Sequence, residues 1–165
     1  MIRKISMSKY KKAAFIPAMA MMILIFIFSH MDADTSDVQS DGVAYFIVSA
    51  VDSIFGLCES EEELLAVADS MTHIIRKIAH FAEYMILCML LIFGLFVNGS
   101  IEKKMYITAA VITALYACTD EFHQIFIPGR YGSIIDVLID SAGAVFGCVI
   151  VSFVFRFIKK RKCSS

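Results

Sequence analysis

The chain has 165 residues, of which 59% are hydrophobic, with a formal net charge of -1. A mean hydropathy of +0.74 with no Trp, 2 Pro, 14 Phe and 10 Met excludes an ordinary soluble core and a disordered chain, and fits a polytopic membrane protein. The charged residues are segregated along the chain and form no separate basic domain, which argues against nucleic-acid binding.

Four windows approach the length of about 20 apolar residues that a membrane helix needs. They are 13–29, 78–97, 105–127 and 134–155. The prediction is an all-α, four-span domain occupying residues 1–165. The first window follows Arg3, Lys4, Lys9, Lys11 and Lys12. A signal peptide starts in the same way, but no small-x-small cleavage site follows the apolar run, so an uncleaved anchor is expected.

Basic residues orient the spans. One side receives the five N-terminal cations, Lys103 and Lys104 between the second and third windows, and Arg156, Lys159, Lys160, Arg161 and Lys162 after the fourth. The other side receives Arg76, Lys77 and Arg130. The positive-inside rule then puts both termini on the cytoplasmic side of the membrane. Residues 31–76 become an acidic extracytoplasmic loop. Within it, 42–56 reads as an interfacial or re-entrant helix too short to span. Residues 59–72 read as an amphipathic acidic helix whose apolar side is Leu64, Leu65, Val67, Ala68 and Met71.

The 5 cysteines have neither the even count nor the paired spacing of a disulfide framework or zinc site, and read as small buried hydrophobes.

Ionisable residues gather where three windows meet the outer side. On the second, Arg76, His80 and Glu83 follow i, i+4, i+7 spacing and share a helix face, with Tyr84 beside them. The third ends in Asp120, Glu121, His123 and Gln124, and the fourth begins with Asp136 and Asp140. Between them, IPGRYGS (127–133) is a tight turn carrying Arg130. A charged group at membrane depth costs about 2.5–3.5 kcal/mol on insertion scales, so a shared functional cavity is expected. Gly143 and Gly147 form a small-xxx-small face for close helix approach.

Three chemistries suit this set. In acid–base catalysis, Glu83 or Asp120 would be the base, His123 and His80 would move protons, and Arg130 would hold an anion. The remaining residues, Glu121, Gln124, Asp136 and Asp140, would contact substrate. A metal or proton pathway is the second possibility. His80-x-x-Glu83 has a bundle metal-site spacing, but no complete ligand motif follows, so neither metal nor cofactor is expected. The third is structural pairing that locks the helices.

The residues KIAHFAEY (77–84), TDEFHQIFIPGR (119–130), and Asp136, Asp140 and Gly143 together resemble the VanZ-like family of bacterial membrane proteins. Ser29, Ser36 and Ser40 resemble that family's serine-rich stretch after its first span. The resemblance covers the last three windows well and is weak over 41–71, where this loop is longer. It implies a cell-envelope role, with a link to teicoplanin and other glycopeptide resistance through a route that leaves the wall-precursor terminus unchanged. It brings no settled enzymatic activity. The expected partners are membrane lipids or a lipid-linked envelope precursor. The rival readings are a non-catalytic binding protein for such a precursor or the drug, and a small ion- or proton-coupled transporter.

Overall fold

The computed structural model describes residues 11–58, 60–100 and 102–163. It consists of helices α1 (Ile16–Ser29), α2 (Ala33–Phe55), α3 (Glu61–Val97), α4 (Glu102–Gln124) and α5 (Ile134–Cys163).

The longest is α3, with 37 residues, or about 55 Å at 1.5 Å per residue. Ser60 starts it by accepting the Glu63 amide at 3.2 Å, and Glu61, Glu62 and Glu63 fill the first turn, where the helix dipole favours negative charge. The amphipathic helix expected at 59–72 and the span expected at 78–97 are therefore one rod. No Pro or Gly interrupts the sequence between them, so nothing breaks the backbone ladder. A bilayer core is about 30 Å thick, so the first turns of α3 project beyond it.

The connection at 31–76 is helical over most of its length, and its helices are longer than expected. It holds α2 and the start of α3, packed as a helical hairpin around Ala44, Val48 and Ala68. Thr72 donates to Asp41 Oδ1 across this hairpin at 2.8 Å. Gly56, at φ +60°, turns the chain between the two helices, and the Cys58 amide donates to Asp52 Oδ1 at 2.7 Å. The segment 42–56 is accordingly the larger part of a helix that begins at Ala33.

Three helical stretches are long and apolar enough to cross a membrane: Lys11–Ser29, Glu61–Val97 and Ile134–Arg161. Helix α4 is less apolar, with Lys103 and Lys104 at one end and Asp120 and Glu121 at the other. Its direction still matches a fourth crossing. Tyr116 donates to the Met22 carbonyl at 2.6 Å, and Ser29 donates to Asp120 at 2.8 Å, so α4 runs parallel to α1. Helix α5 runs parallel to α3, because contacts advance together along both: Lys77 with Asp136, Phe81 with Phe146, Cys88 with Cys148, Phe96 with Phe155. The Asn98 amide donates to the Lys11 carbonyl at 2.8 Å, joining the end of α3 to the residues preceding α1. The two pairs are thus antiparallel to one another, as alternating crossings require.

Helix α3 packs against each of the other four helices. The core lies along it, built from Tyr84, Leu87, Cys88, Leu91 and Ile92 with Ala18, Ile25, Met105, Ala109, Ala117 and Ala144. Gly143 and Gly147 decide how closely α5 approaches. A Cβ on Gly143 would collide with the Phe81 carbonyl oxygen, and one on Gly147 would lie 2.8 Å from that of Met85. The expected small-residue face is real, and its partner is α3. The outer surfaces carry Ile23, Phe26, Phe93, Leu115, Val149 and Phe153, all exposed. A bundle that turns such side chains outward suits a hydrocarbon solvent.

Candidate functional site

Helix direction brings three helix ends against the middle of α3. The C-terminus of α1, residues 73–84 of α3, the C-terminus of α4 and the N-terminus of α5 meet at one end of the bundle. Every ionisable residue singled out from the sequence lies there, while Lys103, Lys104, Arg156 and Lys159 lie towards the other end.

Asp120 is central and 4% exposed. Its Oδ2 accepts from Ser29 Oγ at 2.8 Å and from Gln124 Nε2 at 3.3 Å. Its Oδ1 is buried without a hydrogen-bond partner among the described residues, as is the Tyr84 hydroxyl, and the two groups are close enough to interact. One helical turn further, His123 meets His30, with Nε2 3.2 Å from Nδ1. Their rings are 14° from parallel, and the ring of Phe26 lies 4.9 Å from that of His123. One imidazole must donate and the other accept, so the pair works only when at least one ring is neutral.

The turn between α4 and α5 is held by Glu121, whose Oε2 accepts the Ser133 amide at 2.7 Å. Gly129 adopts φ +73°, and a Cβ on Gly132 would sit 2.7 Å from the Glu121 carbonyl. The two glycines therefore have different duties in this turn: one supplies the left-handed bend, the other close approach. Together they bring Arg130 back over the bundle, within electrostatic reach of His80 and Glu121. Asp136 is paired with Lys77 at 2.8 Å.

Asp140 is fully buried, and neither carboxyl oxygen has a hydrogen-bond partner among the described residues. Glu121, Asp120, Asp136 and Glu83 are all close enough to act on it electrostatically. A buried group in this state is costly unless neutralised, hydrated or matched by a ligand.

A cavity of about 180 Å³ runs among these residues, lined by His80, Glu121, Gln124, Arg130, Asp136 and Asp140, with His73, Arg76 and Lys77. Glu83 lies on a second cavity of about 260 Å³, which shares Arg76, His80 and Arg130 with the first. Asp120 and His123 sit behind and beside the first cavity rather than in its wall. Among the described residues, no three His, Cys, Asp or Glu side chains are grouped to hold a metal ion.

Three participants were not among the sequence candidates for chemistry. Ser29 supplies the hydrogen bond to Asp120, Lys77 the ion pair, and His30 the partner of His123. His30 had one available signal: like His123, it is a titratable residue at the outer edge of an apolar window.

A family model described as VanZ/LLP1 matches residues 14–156. The chain belongs to the VanZ/LLP1 family. The match spans α1 to α4, most of α5 and both cavities, so the KIAHFAEY, TDEFHQIFIPGR and Asp136–Asp140–Gly143 segments are family territory that this fold assembles into one polar end. No curated protein and no solved structure matches the chain.

Proposed function

We propose that this VanZ/LLP1 protein sits in the cytoplasmic membrane with both termini inside, and acts at the outer leaflet on a lipid-linked envelope molecule. Its cellular consequence would be tolerance to teicoplanin-type lipoglycopeptides. The observation that carries this reading is Asp140, fully buried with neither oxygen hydrogen-bonded among the described residues, in the wall of a cavity that also holds Arg130 and His80. Such a wall is unfinished until something polar enters it.

In the catalytic form of this reading, Glu83 or Asp120 is the general base, and His123 and His80 relay protons. Arg130 holds an anionic group, while Glu121, Gln124, Asp136 and Asp140 contact the rest of the polar head. In the binding form, the same residues recognise without reacting. Asp120→Glu separates the two. Lengthening the side chain by one methylene displaces a base relative to its proton and lowers turnover, whereas a binding site tolerates the change.

The test of the envelope role is teicoplanin and vancomycin susceptibility in a sensitive Gram-positive host. The host would express either the intact protein or His123→Ala at matched membrane levels. Tolerance to teicoplanin alone, lost in the variant, supports the proposal. Unchanged susceptibility with the intact protein removes the resistance role. Orientation has its own check. In a variant whose other cysteines are serine, Cys58 should react with a membrane-impermeant maleimide in intact cells, and protection until the cells are permeabilised would reverse the topology.

A further inference from the structure

We propose that the two adjoining cavities form one site for a lipid phosphate. Arg76 and Arg130 would clamp the phosphate, and the acyl or prenyl chain would lie in the second cavity. This rests on the reading that the polar end serves a lipid-linked molecule, and it names the chemistry of that molecule's head.

The partition between the cavities is Arg76, His80 and Arg130, the three residues that face both. The guanidiniums come from different parts of the fold, one from α3 and one from the α4–α5 turn. A phosphate between them could be gripped from two sides by planar forks of N–H donors, a geometry that a single lysine does not offer.

The cavities differ in character. The first is walled by charged groups, including Lys77 with Asp136 and the buried Asp140. The second has Phe28 of α1, Val43 of α2, and Ile75 and Ala79 of α3 in its wall. A polar head suits the one and an apolar chain the other. Gln39 and Ser40 also line the second cavity and offer hydrogen bonds to ester or sugar oxygens at the neck of the molecule. Glu83 is the countervailing charge in this wall. It lies seven residues beyond Arg76, or about 10 Å further along the helix, which leaves the arginines nearer the membrane surface.

Depth agrees with this assignment. Arg76 stands just before the apolar run 78–97, at the level where α3 leaves the hydrocarbon. Lipid phosphates occupy the same interfacial layer, where cationic side chains are favoured. A lipid entering sideways would keep its phosphate at one depth and slide its chain between α1, α2 and α3.

The test uses the purified full chain in a non-ionic detergent, with three probes: dioleoyl phosphatidate, dioleoylglycerol and inorganic phosphate. Binding is followed by thermal shift and native mass spectrometry. The phosphatidate should bind, with the other two at least tenfold weaker. Arg76→Gln and Arg130→Gln should each weaken phosphatidate at least tenfold, and Val43→Trp, which fills the chain cavity, should do so without touching the clamp. Equal binding of phosphatidate and dioleoylglycerol would overturn the phosphate clamp. Inorganic phosphate binding as well as the lipid would overturn the lipid source. Because the intact chain alone discriminates among the probes, the proposal stands or falls even where a variant does not fold. If drug tolerance depends on the polar end while phosphatidate does not bind, the clamp is wrong and the envelope role stands. If phosphatidate binds as expected and no tolerance appears, the clamp stands and the resistance role falls.

Discussion

The seam between α3 and α5 changes character along its length. Towards the basic end, Gly143 and Gly147 press against the backbone of Phe81 and Met85, and Cys88 Sγ lies 3.6 Å from Cys148 Sγ. Towards the acidic end the same two helices line a cavity, with Lys77–Asp136 in its wall and Asp140 buried without hydrogen-bond partners among the described residues. One half of the seam is closed by contact, and the other is left incomplete. Stability should therefore reside in the first and function in the second, because helices in lipid associate through close packing rather than through the hydrophobic effect.

Substitutions can break that division. Gly143→Ala should have the largest effect on stability. Its Cβ meets a backbone carbonyl that can move only with the helix, so a loss of about 1–3 kcal/mol is expected for overpacking, read as a lower melting temperature in detergent. An unchanged melting temperature would show that the seam is not the structural anchor. Ser29→Ala comes next. It removes a donor from the buried Asp120, at a cost of about 1–2 kcal/mol within the range for a buried acceptor losing a partner, softened by the remaining bond from Gln124. The half-exposed Lys77–Asp136 pair should matter less. Lys77→Gln is expected to cost under about 1 kcal/mol and less still in high salt. A larger, salt-insensitive loss would make this pair part of the fold's framework.

Asp140→Asn sharpens the comparison from the other side. It exchanges one buried, unpartnered polar group for another of the same shape, so stability should change by no more than about 1 kcal/mol. Drug tolerance should nevertheless disappear. A clear loss of stability would mean that Asp140 already has its partner in the folded protein, and that the cavity wall is complete.

Much of this arrangement could be read from the chain. Apolar length marked α1, α4, α5 and the apolar part of α3, and the convergence of His80, Glu83, Asp120, Glu121, His123, Arg130, Asp136 and Asp140 followed from their alternating directions. Gly143 and Gly147 announced a close contact, though not which helix makes it. The extent of α3 was missed because an acidic amphipathic pattern and an apolar pattern differ in composition, while the backbone needs only an unbroken run of helix-compatible residues. The same applies to α2, whose acidic first turns concealed a helix continuous with 42–56.

Pairing was the least legible feature. Nothing in the sequence named a partner for Asp136, and the parallel packing of α3 on α5 brings Lys77 to it. His30 was one polar residue at a helix end until α1 and α4 ran side by side and set it against His123. The sequence by itself determined the segments, their directions and the end of the bundle at which the charges meet, because solvation of apolar and charged groups depends on composition and order. Only the tertiary structure decided which charges are partnered, which carboxyl is left waiting and how two cavities share one wall. Those outcomes depend on distances of a few ångströms across helices, set by where a glycine lets one backbone touch another.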